Sequence, residues 1–218
     1  MNCIVTAGPT FESLDEVRRL TNFSTGRLGS ELANHLVASG HRVTLLRGQC
    51  ATHQGPQRAQ KTHEFTTTDH LRQLLEKLAS PRVNAVFHAA AVSDFKFGKI
   101  WERRADGSMI QCRAGKISTR AGTLLAELVP TTKLIAGLRS WYPRAAIVGW
   151  KYEVEGNRTG VVALALEQIV QNQTDACVAN GPAYGRGFGV VTSEGRVQHR
   201  ANATSLYHAL ARLAFPRR

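Results

Sequence analysis

The stretch NFSTGRLGSELANHL, residues 22–36, sets Gly26 and Gly29 three apart, with Arg27 between them, where an amphipathic helix opens. Glycine lets a backbone come close to a ligand or a strand, and amides at a helix start can point at an anion. A guanidinium beside them adds charge that a phosphate would welcome. The plain alternative is an ordinary helix start, with Ser24 as its cap and Gly29 packed on a sheet. Two glycines alone do not decide between the two.

A dinucleotide site would place G-x-G-x-x-G directly between the first strand and the first helix. Here only Gly8 follows the strand NCIVTAG, and Gly26 and Gly29 come much later. The second strand closes on Leu45-Leu46-Arg47, without an acid for a ribose hydroxyl, although Arg47 would suit a 2′-phosphate. The Tyr-x-x-x-Lys pair of short-chain reductases is absent. Hydride transfer is therefore disfavoured.

The elements that must position this loop follow from hydrophobic periodicity. Apolar runs at 2–6, 42–46, 62–66, 85–88, 145–149 and 176–179 read as strands. Amphipathic stretches at 30–39, 70–79, 131–140, 158–171 and 203–214 read as helices. Leu32, Leu36 and Val37, for instance, form one buried stripe. Thr68 and Asp69 are candidate caps of the second helix, and Pro130-Thr131-Thr132 a candidate opening of the third. The alternation predicts one α/β domain over 1–218, Rossmann-like and doubly wound on a mostly parallel sheet. Ligands of such sheets gather at the carboxyl ends of the strands. Residues 96–118 break the rhythm and alternate about Asp106-Gly107, which predicts a projecting β-hairpin arm.

The formal net charge is +12, and such a balance attracts anions. The cations are spread along the whole chain with no dense basic run and no RNP strand or zinc-ligand pattern, so nucleic acid is disfavoured. The four cysteines are scattered without a C-x-x-C pair, which argues against zinc and disulfides. No apolar run reaches the roughly 20 residues that span a bilayer. With no leader pattern either, the expectation is a cytoplasmic protein without a membrane partner.

Six stretches in order carry a family resemblance: TAGPT (6–10), LDEVRRLTNFSTGRLG (14–29), HAAAVSDF (88–95), GKIS (115–118), VGWKYE (148–153) and DACVAN (175–180). The chain resembles phosphopantothenoylcysteine synthetase, the amide-forming enzyme of coenzyme A biosynthesis. In many bacteria that domain is fused to a flavin-dependent decarboxylase, so the resemblance implies a free-standing synthetase with a separate decarboxylase acting on its product. It implies ligation of 4′-phosphopantothenate to L-cysteine through an acyl-nucleotide, with CTP or ATP, Mg2+ and pyrophosphate release, by a homodimer.

By the same resemblance Asn22 holds the acyl-nucleotide, and Lys116 neutralises charge as the intermediate forms or breaks down. Ser24, Thr25, Gly26 and Arg27, with the backbone of Ala90 and Ala91, contact the substrate. The nucleotide falls to Gly8, His88, Ala89, Ala90, Asp94, Lys116, Thr132, Lys133, Leu134, Ile135, Trp150 and Lys151. The chain departs from the bacterial pattern at Gln168 and Asn172, where two lysines are usual, and at Gly181, Ser118, Thr119 and Thr132-Lys133. Lys133 and Lys151 are candidates for the missing charge. A relative that keeps the fold and binds without ligating is the alternative.

Overall fold

The computed structural model describes residues 1–112, 115, 117 and 122–213. Its first strand, β1 (Asn2–Ala7), shows why the core forms where it does. Every residue from Cys3 onward is buried, as expected of a strand covered on both faces. Alternate side chains feed opposite layers: Cys3, Val5 and Ala7 join one core cluster, and Ile4 joins another.

Between β1 and the helix α1 (Arg27–Ala38) the chain makes a small antiparallel hairpin, β2 (Phe11–Ser13) with β3 (Arg19–Thr21). Then come β4 (Arg42–Gly48), β5 (Lys61–Phe65), α2 (Thr68–Lys77) and β6 (Val83–His88). The arm follows as β7 (Phe95–Arg103), β8 (Met109–Gln111) and β9 (Thr123–Pro130). The chain closes with α3 (Leu134–Trp141), β10 (Ala146–Tyr152), α4 (Arg158–Asn172), β11 (Ala176–Asn180), β12 (Phe188–Thr192), β13 (Val197–Arg200) and α5 (Ala203–Leu213).

The main sheet runs β13-β12-β11-β10-β6-β1-β4-β5. From β5 to β11 every neighbouring pair is parallel, and β12 and β13 join antiparallel at one edge. Leu32, Ala33 and Leu36 of α1 and Leu206, Tyr207 and Leu210 of α5 cover one face. Leu71 and Leu75 of α2, Leu134 and Leu138 of α3, and Val161, Ala165 and Ile169 of α4 cover the other. The doubly wound reading therefore holds. The chain winds outward through β4 and β5, then returns to β6 and winds the other way, so the order reverses between β1 and β6. A crevice at the carboxyl ends of those two strands is the expected ligand position.

Three expectations need correction. The arm is a three-stranded sheet, β8-β7-β9, that extends to Pro130 rather than a hairpin ending at 118. Its third strand is largely exposed and lacks clean alternation, which hides it in the sequence. The short pairs β2–β3 and β12–β13 were also not expected. Finally, the cap of α2 is Thr67, whose hydroxyl accepts the His70 amide, and α3 begins after Lys133 rather than at Pro130.

Candidate functional site

The site is built at the reversal. Gly8, just past β1, has a φ of 86°, in the left-handed region that favours glycine. Its carbonyl accepts the Ala91 amide at 3.0 Å, and the Ala91 carbonyl accepts the Thr10 amide at 3.1 Å. The turn after β1 is thus laced to the segment after β6. The hairpin β2–β3 then carries the chain out and back, and its return strand delivers Asn22 to the same carbonyl. Asn22 Nδ2 donates to Ala91 O at 3.1 Å, and its amide oxygen accepts no hydrogen bond among the described residues.

Below this surface lies a buried polar floor. Thr6 Oγ1 accepts the Ala90 amide at 3.0 Å and lies 3.1 Å from His88 Nδ1. Thr10 Oγ1 accepts the Ser93 amide at 2.8 Å and donates to Ser93 Oγ at 2.9 Å. Thr6, Thr10, His88 and Ser93 are all buried. Leaving any of these donors unpaired would cost about 1–3 kcal/mol. Burial pulls the His88 imidazole down to about 4, so the ring is neutral at physiological pH. The amides of Ala90 and Ala91 are both engaged within the protein, so a ligand would meet the other backbone groups of this segment.

The helices beside the crevice start unusually. Gly26 is the N-cap of α1, in the left-handed conformation and without a side-chain cap. Ser24 does not cap the helix. The Thr25 hydroxyl accepts only the Arg27 amide, at 3.3 Å. Gly29 packs tightly on β1: a Cβ there would stand 2.6 Å from Ala7 Cβ. The packing half of the plain reading therefore holds for Gly29, its Ser24 cap does not, and Gly26 itself opens the helix. The N-cap of α3, Lys133, likewise makes no side-chain cap. Its ammonium pairs with Asp94, and Thr131 binds the backbone on either side, its amide donating to Asp94 O and its hydroxyl to Ser93 O.

The remaining expected residues divide. Thr132 is exposed at the α3 start. Leu134 is buried and Ile135 packs against the same core, so their side chains serve packing and only their backbone faces the helix start. Trp150 lies at the end of β10, partly buried against the α1–α5 core, and its buried indole Nε1 has no hydrogen-bond partner among the described residues. Lys151 pairs with Glu153 at 2.9 Å. Neither Lys133 nor Lys151 is a free cation, which qualifies the idea that they replace the usual lysines. Lys116 lies outside the described residues, as do Ser118 and Thr119. The flanking Gly115 and Ile117 are tied to the β2–β3 hairpin: Glu16 donates its amide to Gly115 O at 2.9 Å, and Arg18 Nη2 donates to Ile117 O at 2.9 Å. The Arg18 guanidinium beside Asp15 holds that carboxyl well below the usual range.

Gln168 and Asn172 have internal work. Gln168 Nε2 donates to Trp150 O at 3.1 Å while its Oε1 accepts from Cys177 Sγ at 3.1 Å, and Asn172 Nδ2 donates to Gln168 O at 2.8 Å. Gln168 thus braces α4 on β10 and β11, while Asn172 bonds back to its own helix. The sequence reading missed Thr6, Thr10 and Ser93 as the floor, because a buried hydroxyl has no signature in a single chain. Nor did it foresee the role of Arg47, whose Nη2 binds the carbonyls of Ala51 and His53 at 2.8 and 2.9 Å.

The fold is a Rossmann-like α/β domain with a reversal of strand order between β1 and β6 and a separate three-stranded β-arm. The chain belongs to the DNA/pantothenate metabolism flavoprotein C-terminal domain family, whose model matches residues 1–213. Among curated relatives, the coenzyme A biosynthesis bifunctional protein CoaBC of Thermococcus kodakarensis is 30% identical over 178 residues, 81% of this chain and 40% of that protein. The chain thus spans less than half the length of that relative. The solved DNA/pantothenate metabolism flavoprotein of Streptococcus pneumoniae superposes with a TM-score of 0.83 at 23% identity, covering 97% of both chains. A Cab2 histidine-to-alanine mutant in complex with phosphopantothenate-cysteine superposes with a TM-score of 0.71 at 18% identity, covering 97% of this chain and 86% of that one.

Proposed function

We propose that the chain is a ligase joining 4′-phosphopantothenate to L-cysteine through an acyl-nucleotide. The observation that carries this reading is Asn22, held on the Ala91 carbonyl beyond the carboxyl ends of β1 and β6, the strands followed by the two helices without side-chain caps. Support comes from the family, from a relative named for coenzyme A biosynthesis, and from a similarly folded protein that holds phosphopantothenate-cysteine.

In the first step the pantothenate carboxylate attacks the α-phosphorus of CTP or ATP, a P–O bond forms and pyrophosphate leaves. In the second the cysteine amine attacks the acyl carbon, the amine proton is lost to solvent or base, and the nucleoside monophosphate leaves. Both steps build up negative charge, which amide donors and cations aimed at the crevice would stabilise. The Asn22 carboxamide would hold the acyl-nucleotide without adding a charge, and Lys116 would neutralise the intermediate. Among the described residues no three His, Cys, Asp or Glu side chains gather to hold a metal. Mg2+ would therefore be held mainly by the nucleotide phosphates, with Asp94 as the carboxylate at the rim, and would neutralise charge on the leaving pyrophosphate.

We infer a homodimer formed through the arm, whose exposed apolar side chains include Phe95, Met109, Ile110 and Leu128. A decarboxylase would take the product. Among the described residues no helix is long and apolar enough to cross a membrane.

The test is pyrophosphate release from phosphopantothenate, cysteine and Mg2+ with CTP or ATP. Release with one nucleotide is expected, and Asn22→Asp should form no completed amide. Failure with both nucleotides would leave the second reading, a binder that does not ligate. That alternative rests on the neutral Gln168 and Asn172, which leave the usual lysine positions without charge.

A further inference from the structure

The turn after β4 is a pinned wedge behind the substrate loop. Arg47 is the penultimate residue of β4, and its Nη2 donates to carbonyls on both sides of Thr52, Ala51 O at 2.8 Å and His53 O at 2.9 Å. The Ala51 amide returns to Gly48 O at 2.9 Å, which closes the turn. Two contacts lead from this turn to the site. His53 donates its amide to Thr25 O at 3.0 Å. The buried Ala51 methyl stands behind both left-handed glycines: a Cβ at Gly8 would lie 2.7 Å from it, and one at Gly26 3.0 Å.

We infer that Arg47 is a positioning residue for residues 22–26, acting through the turn at 49–55; its kinetic consequence rests on the ligase reading above. A charge-assisted bond to each of two carbonyls fixes a turn that has no regular structure of its own. That turn in turn fixes the Thr25 carbonyl and the spacing of Gly8 from Gly26. Arg47 does not meet the ligand. A lysine offers one ammonium where the guanidinium offers a planar fork, so it would preserve this linkage only in part.

The experiment compares Arg47→Met, Arg47→Lys and Ala51→Gly with the parent protein in two measurements. The first is amide hydrogen exchange of the ligand-free protein. Arg47→Met should speed exchange across 22–29 and 49–55 by about tenfold while the β6 segment 83–88 stays protected, and Arg47→Lys should fall between it and the parent. Ala51→Gly, which leaves Arg47 intact, should loosen 22–29 in the same way. The second is steady-state ligation, in which Arg47→Met should raise KM for phosphopantothenate about tenfold with a smaller change in kcat. Unchanged exchange at 22–29 overturns the proposal. So does loosening of the whole fold with Arg47→Lys no better than Arg47→Met. Should Arg47→Met not fold, Arg47→Lys and Ala51→Gly decide by the same exchange readout. A protein that shows no ligation at all removes the ligase reading alone, because the exchange measurement needs no substrate.

Discussion

Four helices cross the parallel part of the sheet from its carboxyl edge, and they start in two different ways. The α2 helix opens with the Thr67 hydroxyl on the His70 amide and Asp69 in its first turn, and α4 with the Asn157 carboxamide on the Gly160 amide. The helices α1 and α3 have no such cap. A side-chain cap stabilises a helix start by about 1 kcal/mol, so α1 and α3 forgo that contribution. They are the pair that follows β1 and β6, the strands at which the winding reverses. Local rules are broken where the ligand is expected and kept elsewhere, which is how natural chains usually separate stability from function.

That contrast can be broken from either side. The largest effect is expected from Gly26→Asp, which imposes an acid and a Cβ on a left-handed position facing Ala51 and Gly8. Product formation should fall by at least about 100-fold in the pyrophosphate assay, because a misplaced loop spoils the reacting geometry.

Next comes acid. His88 is buried and its folded value is lowered to about 4 from 6.5. Below pH 6.5 the unfolded chain takes up a proton that the folded chain refuses until about pH 4. Stability therefore falls as pH falls through that window, by about 3 kcal/mol from this group alone. Urea midpoints measured from pH 7 to 4 should show the loss, and His88→Gln should reduce it. Third, Thr6→Val strips partners from the Ala90 amide and from His88 Nδ1 and should cost about 2 kcal/mol in the same measurement. The smallest effect belongs to the capped pair. Asn157→Ala should lower stability by about 1 kcal/mol and leave ligation unchanged.

The sequence made some of this visible and hid the rest for physical reasons. The central parallel strands were legible because burial on both faces makes continuous apolar runs such as Cys-Ile-Val, whereas the edge strand β5 is mostly exposed. The strands β2 and β3 have three residues each, and every residue of β3 is exposed, so no periodicity could mark them. Asn22 and Asp94 were singled out by their resemblance to a family motif and not by their own chemistry. Arg47 was considered for a 2′-phosphate only within the dinucleotide reading that the sequence disfavoured. Only the fold of residues 49–55, which have no repeating pattern, shows that its guanidinium faces carbonyls. Gln168 and Asn172 read as lost charges, whereas the structure gives them partners in α4, β10 and β11.

The single hydrogen bond from Asn22 to Ala91 also fixes when a site can exist. Its two ends are 69 residues apart, and it requires β6 to be seated beside β1. During synthesis, the loop with its glycines and helix start emerges long before the carbonyl that orients it. A growing chain that ends short of Ala91 therefore carries the substrate loop without a binding site, and phosphorylated substrates cannot help it fold. Ligand-induced stabilisation is available only after the central strands have paired, which makes it a readout of completed topology rather than an aid to reaching it.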